Sequence, residues 1–90
     1  MTAIEQCVDE CRRCAGLFRL GRDVEAALDM VDVFDDAQQL LIAAPAQFQQ
    51  DWAAVLTHML ECQERQDWLG LADWMEFELI ELLQKARSSK

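Results

Sequence analysis

The sequence predicts an all-α fold, an antiparallel four-helix bundle built from two helical hairpins. Apolar residues recur at steps of three and four along almost the whole chain, which is the period of helices with one buried face. The 90 residues include 52% apolar residues but only three Gly and one Pro, a composition typical of compact helical proteins. Helix-ending signals occur around residues 21, 45 and 66, so four helices are predicted within one domain.

The first predicted helix carries a single apolar stripe. Its members are Ile4, Cys7, Val8, Cys11, Cys14, Ala15 and Phe18. Gly21 is expected to end this helix, because glycine takes the left-handed conformation beyond a helix end without strain. Asp23 is then expected to cap the second helix by accepting a backbone N–H.

The second predicted helix runs to about Ala43, and Pro45 places its boundary at Ala44, because a residue before proline avoids helical geometry. The side chains expected to face inward are Val24, Ala27, Leu28, Val31, Phe34 and Leu41. A weaker apolar set is expected on the outer face and consists of Ala26, Val33, Ala37 and Leu40.

The third predicted helix has an inward stripe at steps of four and three. This stripe is Phe48, Trp52, Val55, Met59 and Cys62. Gln66 and Asp67 form the last turn, with Asp67 as the cap of a fourth helix that reaches about Ala86, and residues 87–90 are expected to fray.

The two halves follow a similar plan, in which Asp23 and Asp67 take corresponding capping positions. The first hairpin is predicted over about residues 2–44 and the second over about 45–86. Short connections make sequential helices antiparallel neighbours, which favours the bundle. The alternative is a pair of stacked hairpins of a helical-repeat type, with a more open groove between them.

The charge balance narrows the classes of partner. The chain has 8 basic and 17 acidic residues and a formal charge of -9, so nucleic acid and anionic membranes would be repelled. A basic or amphipathic peptide would be attracted, although the same charge also serves simply to keep a small apolar-rich protein soluble. The start lacks the pattern of a signal peptide, and four cysteines without one suggest free thiols in the cytoplasm.

No catalytic or cofactor motif is found, so a protein without enzymatic activity and without a cofactor is expected. Cys7, Cys11 and Cys14 have a spacing seen in iron–sulfur proteins, but the same spacing places all three thiols on the buried helical stripe. The alternative to core packing is a zinc or copper(I) site that also uses Cys62. His58 is the only histidine, and no third group can be assigned to a catalytic Cys–His pair.

Most of the clustered carboxylates are expected to form a solvated face. Asp35 and Glu76 are exceptions, because a helical wheel places both near the inner face. A buried carboxylate needs a partner. The candidate partners are Arg12, Arg13, Arg19 and Arg22.

The fourth helix has more large apolar groups than one face can bury. The predicted core side is Trp68, Leu71, Ala72, Met75, Leu79, Leu82 and Leu83, with Leu69 and Ile80 at its edge. The opposite side is Gly70, Trp74, Phe77 and Glu81. Trp74 and Phe77 are therefore expected to be partly exposed as interface anchors, with Gly70 leaving a notch beside them. The alternative is a central helix buried on all sides.

Residues 67–79 carry the pattern Asp67-x-Leu69-x-Leu71-Ala72-Asp73-x-Met75-Glu76-Phe77-Glu78-Leu79. This string resembles short helical segments of bacterial flagellar and export-associated proteins, and the size, acidity and four-helix plan resemble flagellin-type and type III export chaperones. Such chaperones hold an amphipathic client segment along an apolar groove, which would make Trp74 and Phe77 client contacts. The resemblance covers about eighteen residues, and no residue of the first three helices is matched to it.

These observations together predict a non-enzymatic protein-interaction module, chaperone-like or adaptor-like, that binds a helical segment or forms a homodimer. The expected partner-binding residues are Trp74, Phe77, Gly70, Glu81, Val33 and Leu40. The alternatives are a small metal-handling bundle that uses the four cysteines, and an acidic neutraliser of a basic protein or an enzyme subunit.

Overall fold

The computed structural model describes residues 2–88 and is all-α, as the apolar period predicts. Within these residues four helices pack together, and the first three are α1 (Ala3–Arg19), α2 (Asp23–Ile42) and α3 (Ala46–Glu64). The fourth helix spans residues 68–88 in three successive segments, which are α4 (Trp68–Asp73), a π-helical segment (Trp74–Leu79) and α5 (Ile80–Ser88). No helix in residues 2–88 is both long enough and apolar enough to cross a bilayer.

The turn after α1 is a Schellman motif centred on Gly21. Gly21 has a φ of 76°, and its N–H donates to the Phe18 carbonyl at 3.1 Å. The Arg22 N–H donates to the Leu17 carbonyl at 3.0 Å, which completes the pair of hydrogen bonds that defines this motif. The predicted helix end at Gly21 is therefore confirmed.

The turn after α3 repeats this motif with a different residue at its centre. Gln66 has a φ of 57° and donates its N–H to the Gln63 carbonyl at 3.0 Å. The Asp67 N–H donates to the Cys62 carbonyl at 2.8 Å. Gln66 thus occupies the left-handed position that Gly21 occupies in the turn after α1, although an L side chain is strained there.

The two turns show why one predicted cap is right and the other wrong. Asp67 precedes α4 and its Oδ1 atom accepts the Gly70 N–H at 3.0 Å, as predicted. In the turn after α1 the equivalent position, one residue after the left-handed residue, is Arg22 and not Asp23. Asp23 is already the first residue of α2, and its buried Oδ1 atom has no hydrogen-bond partner within residues 2–88.

The core consists entirely of apolar and cysteine side chains, because no polar or charged residue is buried among residues 2–88. In α1 every predicted inward residue is buried except Ile4, which is partly buried and packs on the core. The predicted stripe of α3 is also buried in full, from Phe48 to Cys62. Aromatic contacts connect the helices, with the Phe18 and Trp68 rings stacked at 5.6 Å between centroids.

Most of the residues predicted to face inward on α2 lie outside the core, although Leu41 is buried and Phe34 packs against it. The buried residues are Ala26, Met30, Val33, Ala37 and Leu41, whereas Val24, Leu28 and Val31 are 77%, 68% and 64% exposed. Small side chains allow the α2 backbone to approach α1, and the Ala26 carbonyl accepts a hydrogen bond from Cys14 Sγ at 3.3 Å. A helix with apolar residues on two faces gives no sequence signal for which face its neighbour covers.

The fourth helix contacts all three other helices. Its predicted core side is confirmed, because every member is buried except Trp68, which is partly buried. Of the two predicted edge residues, Ile80 is buried and Leu69 is 62% exposed. Leu71, Met75, Leu79 and Leu83 are each 0% exposed at steps of four residues. An α-helix turns once every ~3.6 residues, so side chains four residues apart are gradually displaced around the helix axis and away from one face. The wider turn of the π-helical segment reduces this drift.

The end of the fourth helix differs from the prediction. α5 continues through Ser88, and Arg87 Nη1 donates to Glu5 Oε1 of α1 at 3.1 Å. Arg87 is therefore helical and paired, although it was assigned to a frayed tail. The rest of that predicted tail, residues 89–90, lies outside the described residues.

Candidate interaction surfaces

Phe77 is the large aromatic side chain that the fourth helix presents to solvent. It is 57% exposed and lies in the π-helical segment. Leu69, which is 62% exposed, and the exposed Asp73 precede it at steps of four residues. The prediction that Phe77 lies outside the core is therefore confirmed. π-helical turns within α-helices occur frequently at functional sites.

Arg19 at the end of α1 provides the polar border of this surface. Its Nη2 atom lies 2.8 Å from Asp73 Oδ1 and its Nη1 atom lies 2.6 Å from Glu76 Oε1. These hydrogen bonds, to Asp73 and then to Glu76, raise the pKa of Arg19. Its guanidinium carbon is 6.0 Å from the centre of the Phe77 ring, at the outer limit of a cation–π contact. We call Arg19, Leu69, Asp73, Glu76 and Phe77 the Phe77 patch.

Of the two carboxylates predicted near the inner face, Glu76 agrees with the prediction and Asp35 does not. Glu76 is partly buried and paired with an arginine of α1, as predicted. Asp35 is exposed, and its Oδ2 atom accepts a hydrogen bond from Gln39 Nε2 at 3.3 Å. Asp35 was placed near the inner face because the wrong face of α2 was assigned to the core.

Trp74 is partly exposed and partly buried, in agreement with the partial exposure expected of it. Its indole packs on the core and stacks on the His58 imidazole, with 4.4 Å between ring centroids and 9° between ring planes. The pair borders a shallow groove of about 340 Å³ between α3 and the fourth helix. Glu81, also on this groove, is exposed and pairs with Lys85 Nζ at 3.1 Å.

Gly70 does not leave an open notch. The space beside its Cα is occupied by the capping carboxylate of Asp67, which a Cβ atom at Gly70 would strike. The glycine therefore permits the cap to approach the first turn of α4. The interface notch predicted at this position is not present.

On α2 the two predicted partner-binding residues, Val33 and Leu40, are not on an open surface. Val33 is 1% exposed and belongs to the core, and Leu40 is partly buried and packs against it. The exposed large apolar residues of this helix are instead Val24, Leu28, Val31 and Ile42. The first three recur at steps of four and three, and we call them the α2 ridge. Their spacing was visible in the sequence, but it was interpreted as an inward stripe.

The four cysteines are core residues. All four are free and buried. A hydrogen bond between Cys7 and Cys11 lowers the pKa of Cys7, and together with burial it raises the pKa of Cys11. Burial raises the pKa of Cys14 to about 12. Metal ligation requires the thiolate. In residues 2–88 no three His, Cys, Asp or Glu side chains converge to hold a metal ion, so the alternative site with Cys62 lacks its geometry.

Two acidic side chains meet in a groove of about 550 Å³ between α1 and α2. Burial, then a hydrogen bond to Asp36 and the negative charge of that residue, raise the pKa of Glu10. Glu10 therefore keeps its proton to a higher pH than an isolated glutamate would.

Comparison with known proteins gives no match to a protein-family model, to a curated protein or to a solved structure. The resemblance of the fourth helix to segments of flagellar and type III export chaperones consequently stays a prediction.

Proposed function

We propose that the protein is a non-enzymatic protein-interaction module, chaperone-like or adaptor-like, that binds an amphipathic helical segment through the Phe77 patch. The observation that carries this proposal is the 57% exposure of Phe77 in a chain whose other aromatic side chains pack on or within the core. Burying an exposed aromatic ring against a partner is a large source of binding free energy.

The surroundings of Phe77 support this role. Arg19 holds Asp73 and Glu76 in place, so the apolar ring has a fixed polar border. Protein interfaces typically combine an apolar centre with such a polar rim. Arg19 also ties α1 to the fourth helix, which limits the conformational freedom that binding would remove.

We further propose that the four helices form an antiparallel bundle and that the protein acts in the cytoplasm. The short turns at residues 20–22, 43–45 and 65–67 support the antiparallel order. Four free buried thiols are consistent with a reducing compartment.

The test selects binders from a displayed library of amphipathic helical peptides and measures their affinities for three proteins. These are the wild type, Phe77→Ala and Leu60→Ala, a matched control because Leu60 on α3 is 46% exposed. We expect binders whose affinity falls at least about tenfold in Phe77→Ala and is unchanged in Leu60→Ala. If no selected binder lost affinity in Phe77→Ala, the assignment of the patch would be refuted.

Light scattering over a hundredfold concentration range distinguishes the two possible occupants of the Phe77 patch, which are a helix of another protein and a second copy of this chain. A foreign helix requires a wild-type monomer with the patch free. A wild-type dimer that Phe77→Asp converts to a monomer would show that the patch serves self-association instead.

A further inference from the structure

The α2 ridge is an apolar surface that the core does not use. Val24, Leu28 and Val31 are 77%, 68% and 64% exposed on the side of α2 that faces away from the buried Ala26 and Val33. On a wheel of ~100° per residue, the exposed Asp35 and then Ile42, which is 56% exposed, continue the same line. Three or four apolar side chains at helical spacing match the pattern by which one helix packs along another.

Acidic side chains follow one side of this ridge. α2 contains six acidic residues and no basic residue between Asp23 and Ile42. On the same wheel Glu25, Asp32 and Asp36 lie along one border of the ridge, whereas the other border is uncharged. Within residues 2–88 no basic side chain forms an ion pair with Asp32 or Asp36, and Glu25 pairs with Arg22 at 2.7 Å.

We propose that the α2 ridge is a second binding surface and that its occupant is a basic amphipathic helix. The apolar face of such a helix covers Val24, Leu28 and Val31. Its Lys or Arg side chains lie beside Asp32 and Asp36, where they supply the missing counter-charge. The formal charge of -9 on the whole chain also increases the rate at which a basic partner arrives.

Charge argues against a second copy of the chain as the occupant. A dimer packed through the ridge would bring two α2 helices together, and neither contributes a basic residue. In an antiparallel two-fold pair the acidic borders lie on the same side and face each other, which is repulsive. In a parallel pair each acidic border faces the uncharged border of the other copy and gains no counter-charge.

This inference shares with the proposed function the premise that the chain binds protein helices. It rests on a different helix and different side chains, so either proposal can fail without the other. The closing experiment therefore includes a variant of each surface.

The probe is a synthetic amphipathic helical peptide with a leucine stripe and lysines along one border. A matched peptide carries Glu in place of each Lys. Fluorescence anisotropy measures the affinity of both for the wild type, Leu28→Ser, Asp32→Asn/Asp36→Asn, Leu60→Ser and Phe77→Ala. Thermal melting by circular dichroism verifies that each variant folds, which is expected because all five side chains lie at least partly on the surface.

We expect the lysine peptide to bind the wild type and the glutamate peptide not to bind. Leu28→Ser should weaken binding about tenfold or more, and Asp32→Asn/Asp36→Asn should reduce the dependence of affinity on salt. Leu60→Ser should leave the affinity unchanged, and any loss in Phe77→Ala should be smaller than the loss in Leu28→Ser.

Three outcomes would overturn the proposal. One is unchanged affinity in folded Leu28→Ser, and another is an equal loss in Leu60→Ser, which would indicate nonspecific adhesion. The third is a wild-type dimer in light scattering that Leu28→Ser dissociates, which would assign the ridge to a second copy. Loss of binding in Phe77→Ala alone would place the peptide on the Phe77 patch, so the α2 proposal would fail while the proposed function stands.

Discussion

Replacing Gln66 by Gly is expected to raise the free energy of unfolding. Gln66 has a φ of 57°, a left-handed conformation that costs a residue with a Cβ atom about 1–2 kcal/mol. Gly avoids this cost but loses about 0.4–1 kcal/mol through the greater entropy of the unfolded chain. The exposed Gln66 side chain contributes no buried contact that would be lost. The net expectation is a stabilisation of about 0.5–1 kcal/mol.

Gly21, at the corresponding position of the turn after α1, provides the matched control. Gly21 has a φ of 76°, and a Cβ atom built there meets no atom within 4 Å. Gly21→Ala therefore introduces backbone strain without a steric clash, and the same terms with opposite sign predict a loss of about 0.5–1 kcal/mol.

Thermal unfolding followed by circular dichroism measures both variants. In a domain of this size 1 kcal/mol corresponds to about 4–8 °C in Tm, so the two Tm values should move in opposite directions by about 2–8 °C. A lower Tm for Gln66→Gly, or an unchanged Tm for Gly21→Ala, would refute the argument that these two turns are equivalent.

Two further perturbations test the core and the acidic pair. Met75→Ala should lower the free energy of unfolding in urea by about 2–5 kcal/mol, because Met75 is 0% exposed. Phe77→Ala, two positions later, should change it by about 0.5 kcal/mol or less, and similar losses in both variants would contradict the assigned faces. Glu10→Gln should raise Tm at neutral pH by the effect of about 0.5 kcal/mol typical of surface charges, because the pKa of Glu10 is raised and its stabilising protonated form is lost as pH rises. The gain should shrink as acid protonates Glu10, and a pH-independent difference would contradict the raised pKa of this group.

The helices themselves were largely predictable. α1 and α3 each have one apolar stripe, and the predicted stripes are the buried ones. Gly21 and Pro45 mark helix boundaries through backbone sterics alone, which act locally. The second turn was placed correctly by Asp67, although its left-handed residue, Gln66, has no special preference for that conformation and could not be identified in advance.

The candidate surfaces were only partly predictable. Phe77 was located because the fourth helix has more large apolar residues than its core side holds, and the surplus lies on the solvent side. The α2 ridge was missed because a wheel ranks faces by the size of their apolar groups. It does not show that Ala26 and Ala37, being small, allow α1 to approach closely.

The sequence by itself determined where the helices lie and which side of α1, α3 and the fourth helix is buried, because helix periodicity and helix-ending residues act over a few neighbouring positions. Only the tertiary structure decided which face of α2 is free, that Trp74 stacks on His58, and that Arg19 reaches Glu76, 57 positions away. These contacts depend on how the helices are rotated and placed against one another. That placement is selected by packing of the whole core, which no single helix encodes.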